Sequence, residues 1–224
     1  MRYETTREYE IELASRYGGL VAGIDEVGRG ALAGPVAVGV TLVGAAQRQA
    51  PVGLTDSKLL TPQKRHALIE PIREWVVDAA IGWSSAQEID QWGIIAALRC
   101  AAQRALAELE NRGYRPSVII LDGSHDWLSQ PSKDLLSQYD EEREPVFYDV
   151  TMPVKTRVKA DATCSVVAAA SVLAKVSRDQ MMAELPDYGY GWASNKGYSS
   201  AAHIAALREK GASPWHRRSW KLPM

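Results

Sequence analysis

Short apolar runs alternate with longer amphipathic segments along most of the chain. The runs at residues 20–24 and 36–43 are short and rich in β-branched side chains, which predicts two strands. Further strands are predicted at residues 76–83, 117–121 and 146–152. Because these runs alternate with helical patterns, we predict an α/β protein in which helices pack against a sheet.

Helical periodicity is clearest in residues 94–111, where apolar side chains return every three or four positions. Another helix is predicted over residues 61–75, with a kink or break at Pro71. Residues 162–182 predict a long helix rich in Ala and Val, and residues 199–210 predict the last helix.

Two segments interrupt this alternation. Residues 124–144 are polar and carry an acidic run, which predicts an excursion over the surface. Residues 183–198 are rich in Gly and Tyr and provide the only suitable boundary near the C-terminal end. We therefore divide the chain into a main domain, residues 1–185, and a C-terminal extension packed on it, residues 186–224.

Length and composition are those of a soluble globular domain. A chain of 224 residues can bury a substantial core, and no uncharged apolar stretch reaches the roughly 18 residues of a membrane span. The first residues carry mixed charge, which argues against a secretory signal there. We therefore expect a cytoplasmic protein that does not bind membranes.

The sequence lacks the ligand spacing of a zinc site. Cys100 and Cys164 are far apart and the four histidines are scattered singly, so we expect two packed thiols in a reducing compartment. Any metal ion would have to be a hard cation held by carboxylates.

Charge is distributed unevenly along the chain. Residues 154–224 carry a net charge of +6, and residues 1–153 carry −7. The asymmetry fits a carboxylate site in one part and a polyanion-binding surface in the other. Chance clustering of solvated charge explains it equally well.

Four carboxylates occupy positions suited to such a site. Asp25 and Glu26 end one predicted strand, Asp122 ends another, and Asp161 begins the long Ala-rich helix. The carboxyl ends of neighbouring strands converge in an α/β sheet, and clustered carboxylates repel each other unless a cation neutralises them. Mg²⁺ and Mn²⁺ are the cations that such oxygen ligands favour.

Each carboxylate also has a structural explanation. Asp161 can cap its helix, and Asp122 can be an ordinary turn residue before a glycine. Consecutive strand residues face opposite sides, so Asp25 and Glu26 share one site only if the strand ends or bulges there.

Other segments carry weaker signals for an anionic ligand. In the segment Gly28-Arg29-Gly30 the two glycines allow close backbone approach, and Lys58 lies in a turn with Ser57. Most such glycines and lysines, however, are only turn or surface residues. The C-terminal segment interleaves basic and aromatic side chains, which suits a nucleic-acid backbone. For Trp215 and Trp220 we favour packing on the domain.

Together these segments resemble the type 2 ribonucleases H, and within them the bacterial ribonuclease HII group. The resemblance covers about 200 residues and rests on six blocks in order: GIDEVGRGALAGPV at 23–36, TDSKLL at 55–60, ILDG at 120–123, KADATCSVVAAASVLAKVSRD at 159–179, NKGY at 195–198 and HRRSW at 216–220. The first and fourth blocks are long and specific. The residue before Asp161 is Ala160, where family members often carry Gly, and the segment between Asp122 and Asp161 is longer than usual.

The resemblance implies a ribonuclease H-like fold, with a mixed sheet of about five strands, flanking helices and a helical C-terminal extension. It implies that two Mg²⁺ or Mn²⁺ ions are held by four catalytic carboxylates, which are Asp25, Glu26, Asp122 and Asp161. It further implies substrate contacts: a ribose 2′-hydroxyl read by residues 28–30, a sugar stacked on Tyr198 and a phosphate bound by Lys58.

The activity that the resemblance implies is endonucleolytic. We expect cleavage of the RNA strand of RNA–DNA hybrids and incision 5′ of single ribonucleotides in duplex DNA, leaving a 3′-hydroxyl and a 5′-phosphate. We expect a monomer, and the sequence does not show whether a replication clamp is a partner. The alternatives are another metal-dependent nuclease on the same fold and a hybrid-binding protein without catalysis.

Overall fold

A five-stranded mixed sheet forms the centre of the molecule, for which a computed structural model describes residues 5–129 and 145–224. Its strands are β1 (Leu20–Val27), β2 (Val36–Val43), β3 (Asp78–Ser84), β4 (Pro116–Asp122) and β5 (Val154–Arg157). They lie in the order β3-β2-β1-β4-β5. The pairs β3–β2 and β2–β1 are antiparallel, whereas β1–β4 and β4–β5 are parallel. The predicted α/β class and the mixed sheet are confirmed.

Helices cover both faces of the sheet. They are α1 (Glu8–Tyr17), α2 (Pro62–Trp75), α3 (Ala86–Asn111), α4 (Ala160–Thr163), α5 (Ser165–Glu184), α6 (Trp192–Asn195) and α7 (Ala201–Lys210). Helix α3 packs on one face, and α1, α2 and α5 pack on the other. A third apolar cluster, built around Met182, Tyr190, Trp192 and Leu207, joins α5 to the segment that contains α6 and α7.

The strand predicted at residues 146–152 is wrong. That segment has no ladder partner, although Tyr148 and Met152 are buried against the α3 face. Pairing starts at Pro153, whose carbonyl accepts from the amide of Ile119, and continues along Val154–Arg157. This edge strand reads Val-Lys-Thr-Arg, so it lacks the apolar pattern on which the prediction relied.

The surface excursion predicted at residues 124–144 is wrong for its first part. Trp127 and Leu128 are fully buried in the core on the α3 face. The remainder of that prediction, residues 130–144, lies outside the described residues.

Helix boundaries differ from the predictions at three places. Helix α2 runs unbroken through Pro71. Because proline has no amide hydrogen, the carbonyl of Ala67 loses its partner in the helix. Both residues are exposed, so water can bind this carbonyl. Helix α3 begins eight residues early, with a capping box at Ser85, and changes direction at Gly93, where φ is 79°. The helix predicted at 162–182 is two helices, α4 and α5, which meet at Cys164.

Helix α1 was not predicted, and it supplies the cap of the long helix α5. Glu10 is 1% exposed, and its Oε1 accepts a hydrogen bond of 2.5 Å from the amide of Val166 in the first turn of α5. Its Oε2 accepts from the Nε of Arg7 at 3.2 Å. Burial nevertheless raises the pKa of Glu10 from 4.5 to about 7.

Replacement of Glu10 by Gln is expected to remove a pH-dependent part of the stability. Because folding raises the Glu10 pKa from 4.5 to about 7, the folded chain binds more protons than the unfolded chain between these values. The free energy of unfolding of the native protein should therefore fall as pH rises through this window, by on the order of 3 kcal/mol from this group. Urea unfolding of both proteins across the window measures the difference, and parallel pH profiles would contradict the assignment.

No helix in the described ranges, 5–129 and 145–224, is both long enough and apolar enough to cross a bilayer.

Candidate functional site

Three of the four predicted carboxylates lie on the face of the sheet that α5 covers. Asp25 is near the end of β1, Asp122 is the last residue of β4, and Asp161 belongs to α4. Gly39, paired with Asp25 across the β1–β2 ladder, allows the close approach of α5, since a Cβ there would overlap the backbone carbonyl of Ala170. The sheet and the α4–α5 segment thus bring these carboxylates together at one edge.

Glu26 reaches the same edge from the other face of β1. The strand neither ends nor bulges at this residue, because Glu26 and Val27 stay in register with Val38 and Ala37 of β2. The sequence analysis allowed Asp25 and Glu26 to share one site only if the strand ended or bulged here, and this condition is not met. Pairing with β4 stops at Ile24, however, so the β4 side of the strand is open beyond that residue. The Glu26 carboxylate interacts electrostatically with Asp122 and pairs with Arg29 at 3.3 Å.

Burial and mutual repulsion raise the pKa values in this cluster. Asp25 is 5% exposed, and burial, with added repulsion from Glu26, Asp122 and Asp161, holds its pKa well above the usual range. Burial raises the pKa of Glu26 as well, and burial together with the Asp122 charge raises that of Asp161 to about 6. Such a cluster is costly to keep ionised unless a cation neutralises it.

Asp25, Asp122 and Asp161 each have a neighbouring donor or cation from the protein. The amide of Glu26 donates to Asp25 Oδ1 at 2.8 Å, and the amide of Ala160 donates to Asp122 Oδ1 at 2.7 Å. Asp161 Oδ2 lies 4.0 Å from Lys58 Nζ. Within residues 5–129 and 145–224, no three His, Cys, Asp or Glu side chains are arranged to hold a metal ion. The donor set still fits Mg²⁺ or Mn²⁺, because it is made only of carboxylate oxygens that repel each other.

The predicted phosphate contact, Lys58, lies at this cluster. Burial lowers its pKa, but the carboxylates of Asp25, Asp56 and Asp161 outweigh this effect and raise it. Its side chain is 74% exposed, so the ammonium faces solvent beside the acidic cluster. A single cation next to several carboxylates can bind a phosphate that approaches the same edge.

Sequence reasoning did not select two polar residues around the cluster, Asp56 and Ser171. Asp56 accepts from the Lys58 amide at 2.8 Å, and its charge adds to burial and to the Asp122 charge in raising the pKa of Asp161. Ser171 donates to Ser57 at 2.9 Å, and its hydroxyl partly offsets the pKa shift of Asp25. The available signal for Ser171 was a polar residue in an otherwise apolar stretch of Ala and Val.

The predicted ribose reader, residues 28–30, forms the turn after β1. Gly28 is buried with φ of 86°, and a Cβ at this position would overlap the guanidinium of Arg178. Gly30 is exposed, and nothing lies within 4 Å of the position of its missing Cβ. Gly28 is therefore required by the protein's own packing, whereas Gly30 leaves open space for a ligand.

Tyr198 follows α6 and is 36% exposed. Its ring lies 5.5 Å from the guanidinium carbon of Arg178 and 5.9 Å from the Nζ of Lys175, both on α5. Helix α5 carries Ser171, Lys175 and Arg178 at helical spacing on one side, so this ring and the carboxylate cluster lie along the same helix face.

A chain of hydrogen bonds fixes the backbone at Tyr198. The amide of Ser213 donates to His216 Nδ1 at 2.9 Å, so the proton of that ring is on Nε2. His216 Nε2 then donates to His203 Nε2 at 2.9 Å, and His203 Nδ1 donates to the carbonyl of Tyr198 at 2.8 Å. Burial lowers the pKa of both rings, that of His216 to about 4, which matches this neutral arrangement.

The C-terminal segment is less exposed than its composition suggested. His216 and Arg217 are buried at 1% and 0% exposure, so they do not face a ligand. Trp215 and Trp220 are half-buried, and the Trp220 ring packs on the α3 core, as expected. The exposed arginines of residues 186–224 are Arg208 and Arg218. The two cysteines are free and buried, in agreement with the sequence prediction.

The backbone before Asp161 turns at Lys159, not at Ala160. Lys159 has φ of 58° and ψ of 39°, whereas Ala160 is the first residue of α4. Ala160 is therefore not required to adopt the left-handed backbone conformation that its Cβ would disfavour. Its amide donates a hydrogen bond to Asp122.

Comparison with known proteins gives the same family throughout. The family model described as Ribonuclease HII matches residues 22–223. A ribonuclease HII from Streptomyces avermitilis is 47% identical over 98% of this chain and 85% of its own length.

Solved structures show a shared fold at lower identity. The PCNA complex of RNase HII from Archaeoglobus fulgidus matches with a TM-score of 0.64 at 24% identity, over 90% of this chain and 93% of that one. A Bst-RNase HIII solved with Mn²⁺ matches with a TM-score of 0.57 at 20% identity, over 94% of this chain and 70% of that one.

The family match spans nine-tenths of the chain. The fold is the one found in solved type 2 ribonucleases H. The chain therefore belongs to the ribonuclease HII family and is a ribonuclease H.

Proposed function

We propose that this ribonuclease H cleaves the RNA strand of RNA–DNA hybrids and incises duplex DNA 5′ of single ribonucleotides. The products are a 3′-hydroxyl and a 5′-phosphate. The observation that carries the proposal is the burial of Asp25 among three further carboxylates at the sheet edge, beside an exposed glycine turn. We also propose that it acts as a monomer in the cytoplasm.

Asp25, Glu26, Asp122 and Asp161 are proposed as the ligands of two Mg²⁺ or Mn²⁺ ions. When bound, such ions activate a water for in-line attack on phosphorus and stabilise the departing 3′-oxygen. The carboxylates must be ionised to serve as ligands, and their raised pKa values mean that binding releases protons.

The remaining predicted residues position the substrate. Lys58 projects into solvent next to Asp161 and can neutralise one phosphate of the cleaved strand. The amides of residues 28–30 and the ring of Tyr198 contact sugars, which explains discrimination between RNA and DNA without base readout. Arg29 is held near Glu26, so it also links the turn to the acidic cluster.

Residues 1–185 supply the carboxylates and residues 186–224 supply Tyr198 in this proposal. The substrate lies across both, because the α5 face connects the cluster to the Tyr198 ring. A hybrid-binding protein without catalysis would need only the glycine turn, Tyr198 and the basic C-terminal tail. The cleavage experiment described next distinguishes this alternative.

Cleavage of a labelled duplex with one ribonucleotide tests the proposal. With Mg²⁺ or Mn²⁺ we expect one cut 5′ of the ribonucleotide, a 3′-hydroxyl on one product and a 5′-phosphate on the other. A continuous RNA–DNA hybrid should be cut at several positions, and an all-DNA duplex should remain intact. Binding without cleavage in both metals would favour the non-catalytic alternative, and cleavage of all-DNA duplex would favour a different nuclease.

A further inference from the structure

The turn that follows β1 is joined to the C-terminal segment by backbone pairing. The amide of Gly34 donates to the carbonyl of Trp215 at 2.8 Å, and the amide of Arg217 donates to the carbonyl of Leu32 at 3.0 Å. Ala33 and His216 form an isolated antiparallel bridge. Residues 215–217 therefore run alongside residues 32–34 as a short added strand.

The side chain of Arg217 extends this contact into the turn itself. It is fully buried, and its Nη2 and Nη1 donate to the carbonyls of Gly28 at 2.7 Å and Arg29 at 2.8 Å. Its Nε and Nη2 also donate to the carbonyl of Gly34 at 3.2 and 3.1 Å. Burial lowers the pKa of Arg217 to about 9, so the guanidinium remains charged at neutral pH.

A second buried arginine holds the far end of the same turn. Arg178 of α5 donates to the carbonyls of Pro35 at 2.8 Å, Lys196 at 2.9 Å and Ala33 at 3.3 Å. The hydrogen-bond partners of both buried guanidiniums are backbone carbonyls. Burying two cations against neutral partners is costly, which indicates that the arrangement serves the geometry of the turn and not stability alone.

The geometry of the peptide unit shows what this arrangement achieves. In a trans peptide the N–H of one residue points opposite to the C=O of the residue before it. Arg217 draws the carbonyls of Gly28 and Arg29 inward, so the amides of Arg29 and Gly30 point outward. Both residues are exposed, and within the described parts of the chain neither amide donates a hydrogen bond.

We propose that Arg217 is a positioning residue for substrate discrimination, which aims the amides of Arg29 and Gly30 at the ribose of the cleaved nucleotide. The inference rests on the proposed function and adds to it a residue that does not touch the substrate. The planar guanidinium of Arg217 donates to three carbonyls at once, in a geometry that the ammonium group of a lysine cannot reproduce.

The variant Arg217→Lys tests the proposal, with Arg208→Lys as matched control because Arg208 is exposed on α7. On a duplex with one ribonucleotide, Arg217→Lys should lower kcat about 10- to 100-fold, since misplacement by about 1 Å costs that much. KM should rise by no more than the factor by which affinity specific to the ribonucleotide is lost, because the phosphate contacts are retained. Arg208→Lys should leave both constants unchanged.

Binding in Ca²⁺ gives a readout that a purely structural role would not move. The ratio of the Kd for an all-DNA duplex to the Kd for the same duplex with one ribonucleotide should fall towards 1 in Arg217→Lys and stay unchanged in Arg208→Lys. If Arg217→Lys does not fold, Arg217→Gln removes the buried charge and is measured in the same way.

A preserved ratio and kcat in a folded Arg217 variant would overturn the positioning role while leaving the proposed function intact. A loss of affinity equal for both duplexes, together with a lower Tm, would also overturn it. A native protein that cuts no ribonucleotide-containing duplex would instead reject the proposed function, and the inference with it.

Discussion

Asp25→Asn is expected to abolish metal-dependent cleavage while the protein stays folded. Loss of a group that only supports a metal ligand typically costs about 10- to 100-fold, so loss of a ligand itself should lower kcat by more than about 100-fold. The side chain belongs to the acidic cluster, and burial, with repulsion from Glu26, Asp122 and Asp161, raises its pKa. Single-turnover cleavage at saturating Mg²⁺ measures the loss.

The same substitution should make the metal-free protein more stable. A neutral amide removes both the cost of burying the Asp25 charge and its repulsion with Glu26, Asp122 and Asp161. In chelator at about pH 8 we expect Tm to rise by about 2–4 °C, the shift that corresponds to roughly 1 kcal/mol in a domain of this size.

Asp149→Asn serves as the matched control for Asp25→Asn, because Asp149 is exposed and away from the sheet edge. It should change neither turnover nor Tm. Near-native turnover of Asp25→Asn would contradict the assignment of the site, and a loss of activity accompanied by a lower Tm would point to damage of the fold.

Tyr198→Ala is expected to lose activity mainly on a duplex with a single ribonucleotide. An aromatic ring stacked on a nucleotide contributes roughly 1–3 kcal/mol, so the loss in kcat/KM should be about tenfold to a hundredfold. On a continuous hybrid, which lacks a junction between ribonucleotide and deoxyribonucleotide, the loss should be smaller. The backbone at Tyr198 should stay in place, because His203 holds its carbonyl.

Tyr188→Ala is the control for this substitution. Tyr188 lies in the same glycine-rich segment and is 62% exposed. It should leave both substrates unaffected. Equal losses on both substrates with a lower Tm in Tyr198→Ala would show that the ring only packs against Lys175 and Arg178.

Strand and helix positions were predictable where side-chain burial repeats regularly. The run at residues 36–43 was predicted with its exact limits, because every residue of β2 is buried. The edge strand β5 was not, since its pairing depends on backbone groups of β4 and its side chains are polar. Helix α1 was missed because its sequence carries mixed charge and no apolar run. The burial of Glu10 results from its contact with the first turn of α5, which the local sequence does not show.

The four carboxylates were selected from the sequence because charged groups at the ends of buried strands are unusual. The structure places them at one edge, but their roles remain predictions. Asp56 and Ser171 were not selected. The local signal was limited to a polar Ser171 in an apolar stretch, and the contacts that bring both residues to the cluster are not encoded in a local pattern. The burial of Arg217 was likewise hidden, since a sequence shows that a side chain is charged but not what it contacts.

The pairing of the turn with the C-terminal segment joins residues that are 183 to 189 positions apart in the chain. The two segments therefore form one structural unit, although the sequence analysis assigned one to the main domain and the other to the extension. In a chimera that combined the sheet of one relative with the extension of another, the turn would come from one protein and the guanidinium that holds it from the other. If Arg217 has the proposed role, we expect substrate preference to pass from one relative to another only when turn and extension are exchanged together.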